Sequence, residues 1–366
     1  MAKVLFISAH APTNLYPQAG QKIALNNLER YHAENKSLDV DVIVISNQAE
    51  IDAATDLVDK YRNNLFTYPL IKSAKIINCL NNLSIPLKFA TRYQKTVAGK
   101  LEDLLAKNTY DLIHFEYSHA AVYLDLVKSL IQSQHTRIII SIHDIVTQSF
   151  LRKSEQNLIL GIELARLFKF EKKIYSNVDE LWVLSTKDCK ILTSLFAISE
   201  NKIIIKPPQL SSFIYQVERN RDKIEKKSLL FWAAMNRPEN EQAAIIFIKE
   251  CFTKILKIDS EYKLYLVGSN PSAKLRKFAT NNIIITGFVQ DPTHFFEKAE
   301  IGIVPLFQGA GIKLKTLEML AAGLPIISTT IGTEGIETSD NIFINDNFDE
   351  WINIITNLVN KTPCSN

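Results

Sequence analysis

The sequence predicts an α/β protein made of two doubly wound domains that face each other across a cleft. Three observations predict it. Short apolar runs alternate with longer amphipathic stretches along the 366 residues, the pattern of a mostly parallel sheet covered by helices on both faces. The alternation stops near the middle of the chain and then starts again. The break falls at Lys206-Pro207-Pro208, followed by the almost wholly polar stretch 217–227, so that prolines end one strand and no apolar run continues it.

In the first half, strands are expected at residues 3–8, 40–46, 112–115, 137–142 and 180–184, with helices at 21–34, 93–107, 120–132 and 158–175. In the second half, strands are expected at 227–233, 263–267, 283–286, 301–305, 326–328 and 342–344, with helices at 241–255, 314–322 and 348–360. The expected domains are 1–206 and 207–345, both Rossmann-like. The last segment, 346–366, is expected as a helix able to pack back on the first domain. Open parallel sheets bind ligands at the carboxyl ends of their strands, which sets where functional residues are sought.

Composition narrows the class. Apolar residues make up 46% and charged residues 22%, the make-up of an ordinary globular protein. Cys79, Cys189, Cys251 and Cys364 are far apart and suggest neither a zinc site nor a disulfide framework. No apolar window approaches the ~18 residues of a membrane span, and the run Val4 to Ile7 is too short for a signal-peptide core. A cytoplasmic setting is expected. The net charge is +3, but residues 71–100 hold Lys72, Lys75, Lys88, Arg92, Lys95 and Lys100 and no acid. Apolar residues such as Ile76, Ile77, Leu80 and Leu83 are interleaved with them. Two amphipathic helices with a solvated basic face are the favoured reading. Peripheral contact with the inner membrane face is the alternative. No nucleic-acid-binding motif surrounds the patch.

The most informative stretch begins at Ile301 and reads IGIVPLFQGAGIKLKTLEMLAAGLPIISTTIGTEGI. A buried strand leads into a loop with Gly309 and Gly311, then into a helix stopped by Gly323 and Pro325. The helix start presents unpaired N–H groups and the positive end of its dipole. Lys313 and Lys315 add charge there, so the junction suits a pyrophosphate. Glu318, one turn on, is placed to accept hydrogen bonds from a ribose or sugar hydroxyl, or else to pair with Lys315 at i,i+3.

These residues resemble the family 4 retaining glycosyltransferases of the GT-B fold, in the bacterial branch that builds surface polysaccharides. The resemblance rests on the strand from Ile301, Gly309–Gly311, Glu318, Ala322-Gly323-Leu324-Pro325 and Gly332. Upstream, Gly287, Phe288, Val289 and Asp291 resemble the family's nucleotide-base loop, and Gly268 ends a similar Val-Gly strand. Residues 230–238 with Asn240 resemble the first strand and turn of its donor domain. The resemblance implies a donor site of Asn236, Arg237, Gly268, Gly287, Phe288, Val289, Gly309, Ala310, Gly311, Ile312, Lys315 and Thr316, with Lys313 and Glu318 in the catalytic set. In the first half, the strand ending at Ser8 and the loop 17–20 resemble the family's acceptor-facing glycine loop, which places Gly20 on the acceptor side. The strand ending in His143-Asp144 resembles the one whose His lies beside the reacting sugar. Glu116 and His10 also end strands at that edge, with Glu116 a candidate for the acceptor hydroxyl. His114 is expected to pack within its strand.

Two departures from the family pattern stand out. The family often has two glutamates separated by seven residues; Glu318 fits the second, but the first falls at Ala310, and that residue usually touches the donor sugar. The linker reads Pro207-Pro208-Gln209 in place of Pro-Asn-Gly. The expected reaction is transfer of a sugar from a UDP- or GDP-sugar to a hydroxyl of a glycan or lipid-linked acceptor, with no metal or other cofactor. A nucleotide-sugar epimerase and a non-catalytic nucleotide-sugar-binding subunit remain as alternatives.

Overall fold

The computed structural model describes residues 3–15, 19–34, 38–152 and 158–361. The chain forms two compact units, Met1–Gln209 and Leu210–Asn366, so the division falls three residues beyond the one expected from the prolines.

The first unit holds a seven-stranded sheet, β1 (Lys3–Ser8), β2 (Asp39–Ser46), β3 (Leu65–Pro69), β4 (Leu112–Glu116), β5 (Arg137–Ile142), β6 (Glu180–Val183) and β7 (Ile203–Ile205). Every neighbouring pair is parallel, in the order β3-β2-β1-β4-β5-β6-β7. Strand side chains alternate between faces, and the two apolar layers follow that period. Leu5, Ile7, Ile43, Ile113, Phe115 and Ile140 lie in one layer, and Val4, Phe6, Val42, Val44 and Ile139 in the other. Strands buried on both faces read as continuous apolar runs, which is why β1 and β5 fall where the sequence puts them. β3 was not expected. It is a half-buried edge strand ending in Pro69, and proline is tolerated there because an edge can lack a ladder donor.

The second unit holds a six-stranded parallel sheet, β8 (Glu225–Trp232), β9 (Lys263–Val267), β10 (Ile283–Gly287), β11 (Ala299–Val304), β12 (Ile326–Ser328) and β13 (Ile342–Ile344), in the order β10-β9-β8-β11-β12-β13. The helix expected at 241–255 forms as Pro238–Phe247 and Thr253–Ile258, joined by a π-helical turn over Ile248–Phe252.

The last helix, Phe348–Lys361, buries Trp351, Ile355 and Val359 in the core of the second unit. The i, i+4, i+8 stripe is visible in the sequence, but not which sheet it covers. Trp351 sits 5.7 Å from the Phe247 ring and 5.1 Å from that of Phe348, completing the aromatic layer of its own unit.

Residues 71–100 also differ from the favoured reading. In the helix Lys72–Asn81 the half-buried side is Ala74, Lys75, Asn78 and Cys79, while Ile76, Ile77 and Leu80 are exposed. Arg92 is not solvated either. It donates to the carbonyls of Ala9 (2.6 Å) and Ile45 (2.8 Å). Among the described residues, no helix is long and apolar enough to cross a membrane.

Candidate active site

In each all-parallel sheet the strand order reverses once, between β1 and β4 and between β8 and β11. Loops leaving neighbouring strands diverge at such switch points, and ligands bind there.

In the second unit, helices follow both switch-point strands. Arg237 caps Pro238–Phe247, and Lys313 caps Leu314–Ala321. The Lys313 carbonyl accepts the Thr316 and Leu317 N–H groups (2.9 and 3.2 Å). Its side chain folds back over the glycine loop, where Nζ donates to Gly311 O at 2.6 Å and lies 3.6 Å from Glu334 Oε2. Lys315 turns away from Glu318 and donates to Asn240 Oδ1 at 2.5 Å, with its ammonium 5.5 Å from the Phe231 ring. Burial, then the charges of Arg237 and Lys313, pull its pKa down to about 7. Lys313, Lys315 and Arg237 therefore crowd positive charge at two helix N-termini. Ala310 and Ile312 are half-buried in the loop between Gly309 and Lys313. Asn236 is exposed and Arg237 half-exposed, its Nε 2.9 Å from Glu239 Oε1. Thr316 is fully buried and donates to Gly332 O at 2.7 Å, tying the helix to the loop after β12.

Glu318 is 3% exposed and already engaged. Oε1 accepts from Ser211 N (3.1 Å) and Ser211 Oγ (2.6 Å), and Oε2 accepts from Trp232 Nε1 (2.8 Å). Gly268 brings the strand ends together. A Cβ there would lie 1.8 Å from Ala233 O, so only glycine allows the approach. The contact is completed by bonds from Ala233 N to Val267 O and from Gly268 N to Gly287 O. Beyond Gly287, Phe288 is 70% exposed and Val289 packs partly against the core.

In the first unit, Ser8, Glu116 and Ser141 stand in register at the carboxyl ends of β1, β4 and β5. Glu116 is fully buried. Asn27 Nδ2 donates to both of its oxygens at 3.2 Å. His143 Nε2 lies 2.5 Å from Oε1, and His114 Nε2 lies 3.0 Å from Oε2. Burial alone would raise the carboxyl pKa, but hydrogen bonds from His114 and His143 outweigh it and lower it to about 2. A carboxylate only accepts, so His143 carries its proton on Nε2 and Nδ1 is the ring's other nitrogen. Burial lowers the His114 pKa. Its Nδ1 accepts from Tyr31 OH (2.6 Å), as the neutral tautomer requires.

The Tyr117 ring lies over His143, with centroids 3.9 Å apart, and meets the edge of His10 at 4.9 Å. Gly20 makes room for it, since a Cβ there would lie 2.8 Å from the Tyr117 hydroxyl. The rest of the loop expected at 17–20 lies partly outside the described residues, which omit Pro17 and Gln18. His10 is locked between Glu50 (Nδ1 to Oε2, 3.0 Å) and Arg92 (Nη2 to Nε2, 3.0 Å). Burial first, then the Arg92 charge, lowers its pKa.

The structure thus brings Lys313, Lys315 and Arg237 together, and separately joins His143 to Glu116. It ties Glu318 to Ser211 and Trp232. Sequence reasoning missed Tyr117, Asn27, Glu334 and the Arg92–His10–Glu50 chain, because no local pattern links partners so far apart. Among the described residues, no group of three or more His, Cys, Asp or Glu is arranged to hold a metal ion.

Residues 226–361 match the family described as "Glycosyl transferases group 1". Over 354 residues the chain is 23% identical to an "Uncharacterized 44.6 kDa protein in cps region" of Klebsiella pneumoniae, covering 93% of this chain and 86% of the relative. The fold matches HepE of Anabaena, solved with UDP and glucose, at TM-score 0.64 and 13% identity over 99% of this chain and 91% of that one. It matches sucrose-phosphate synthase of Thermosynechococcus elongatus at TM-score 0.66 and 15% identity, covering 99% and 90%. Residues 226–361 are thus similar to a group 1 glycosyltransferase domain, and the chain has the GT-B fold of these solved structures.

Proposed function

We propose that this chain is a retaining, metal-independent glycosyltransferase that moves a sugar from a nucleoside diphosphate to a hydroxyl of a glycan or lipid-linked acceptor. The observation that carries the reading is the gathering of Lys313, Lys315 and Arg237 at two helix N-termini beside the β8/β11 switch point. In the proposed reaction the acceptor oxygen attacks the anomeric carbon as its bond to the β-phosphate oxygen breaks. The electron pair passes to that oxygen, and the acceptor proton follows onto the departing phosphate from the same face. These three cations offset the developing charge, the part a metal plays elsewhere. His143, oriented by Glu116 and Tyr117, serves the sugar and acceptor side. HepE was solved with UDP and glucose, and UDP-glucose is the first donor to try. The cps region of the Klebsiella relative fits a part in surface polysaccharide synthesis, at the cytoplasmic face where nucleotide sugars are available.

The deciding experiment follows nucleoside diphosphate release with and without acceptor, and reads the product's anomeric configuration by NMR. Acceptor-dependent release with retained configuration is the expected result. Donor conversion without an acceptor would mark an epimerase, and nucleotide binding without turnover a binding subunit.

Two further results are expected. Lys315 is charged below about pH 7 and neutral above it, so an anion bound at higher pH must bring a proton with it. Affinity for a nucleoside diphosphate should weaken from pH 7 to 9, by up to about tenfold per unit. Lys315→Met should flatten that slope in a calorimetric titration, and equal slopes would remove Lys315 from the phosphate site. His143→Ala should lower transfer by about 10²-fold with nucleotide affinity intact. Glu116→Gln keeps the shape but weakens the grip on the ring, and should lower kcat by roughly tenfold without raising the donor KM.

A further inference from the structure

The helix Lys72–Asn81 is mounted inside out. Asn78 Nδ2 donates inward to Thr91 O at 3.2 Å, and Ala74, Lys75 and Cys79 share that half-buried side. The opposite side carries Ile76, Ile77 and Leu80, and the flanking Ile71, Leu83 and Leu87 are exposed too, between 49% and 71% each. An ordinary surface helix turns its apolar stripe to the core. Here the stripe faces solvent, as a contiguous patch that marks an interaction surface.

The patch is held firmly. Arg166 Nη2 donates to Ile85 O at 2.9 Å, and Nη1 pairs with Glu163 Oε2 at 2.6 Å. Glu163 Oε1 accepts the Leu87 N–H at 2.5 Å. The turn after the helix is thereby fixed to the helix Leu158–Ser176, so the exposure belongs to a built element.

The charge around the patch is one-signed. Residues 71–100 contain no Asp or Glu. Lys72, Lys88 and Lys95 are exposed in the same stretch of chain as the apolar residues. Arg92 is occupied internally, and Lys100 lies over the Phe66 ring and near Asp103. A second copy docking by the same patch would bring like charges together. A bilayer rich in anionic lipid offers both an apolar layer for the isoleucines and leucines and negative headgroups for the lysines.

We infer that the helix Lys72–Asn81 and the turn to Leu87 dock this chain on an anionic lipid bilayer, with the apolar stripe inserted at the headgroup boundary. The test is flotation of the full chain with vesicles of phosphatidylcholine alone and of phosphatidylcholine with phosphatidylglycerol. Binding to the anionic vesicles is expected, weakened by added salt. Ile76→Ser/Ile77→Ser/Leu80→Ser should weaken it at least about tenfold, as should Lys72→Glu/Lys88→Glu/Lys95→Glu, with both variants melting like the parent chain because the changed residues are exposed. No binding of the parent chain to anionic vesicles would overturn the inference. So would binding that the serine variant retains in full, since that is adsorption by charge alone. A concentration-dependent dimer dissolved by the serine variant, with no vesicle binding, would identify a second copy as the occupant.

Discussion

Lys313→Ala is expected to lower turnover by about 10²–10³-fold, the scale of losing one charged group aimed at a developing negative charge. Three features set that size. Lys313 caps the helix Leu314–Ala321, so its ammonium adds to the positive end of the dipole. The side chain is 9% exposed, so its charge is poorly screened. Its partners Gly311 O and Glu334 hold it over the glycine loop. The cap itself survives the change, because the Lys313 carbonyl, not its side chain, receives the helix N–H groups. The variant loses the Gly311 O and Glu334 contacts, so Tm should fall by a few degrees, and kcat should fall at temperatures where the variant is fully folded. Steady-state kinetics with a calorimetric melt checks both, and parental turnover would remove Lys313 from the leaving-group site.

Glu318→Ala is expected to act first on stability. The change leaves Ser211 N, Ser211 Oγ and Trp232 Nε1 without their acceptor. Loss of this shared acceptor by part-buried donors should cost about 2–4 kcal/mol in total, or a fall of roughly 5–10 °C in Tm for a unit of this size. Glu318→Gln keeps one acceptor oxygen and should recover about half of that loss. The pair of variants separates structure from chemistry. If Glu318 also touches the donor, the glutamine variant will show a raised donor KM at temperatures where it is fully folded. If it serves only to join Ser211 to Trp232, KM will follow the fraction folded. A parental Tm in the alanine variant would sink the structural role.

The two residues also show what the sequence could and could not reveal. Lys313 was legible because everything that defines it is local: a buried strand, two glycines and a helix start. Glu318 was legible as a residue of interest, but its partners lie 107 and 86 positions away, and no periodicity connects them. Lys315 is legible as a charge at the helix start, with a Glu318 pair as the alternative, but its bond to Asn240, 75 positions upstream, is not. The strands followed the same rule. β5, β9, β12 and β13 span the residues expected of them, each built around an apolar run. β3 alternates, ends in proline and lies at an edge, so its pattern was too weak to read. The π turn at Ile248–Phe252 was also hidden, because the buried residues Ala244, Ile248, Phe252 and Ile255 fit an unbroken helix equally well. For the helix Lys72–Asn81 the stripe was visible, but periodicity carries no arrow saying which way the stripe faces.

Tyr117 has a consequence for how its edge of the first sheet came to be rigid. Its backbone sits at φ 66° and ψ 140°, a conformation that glycine adopts freely and a residue with a Cβ adopts at a cost of about 1–3 kcal/mol. Glycine would be the comfortable choice there, and it would leave His143 and His10 without the ring between them. The main chain, bent just after β4, fixes where the ring begins, so the aromatic wall is aimed by torsion of the backbone and not only by the choice of a side-chain rotamer. Such a wall has little freedom left to lose when a ligand arrives, and the entropy of ordering it was spent when the chain folded.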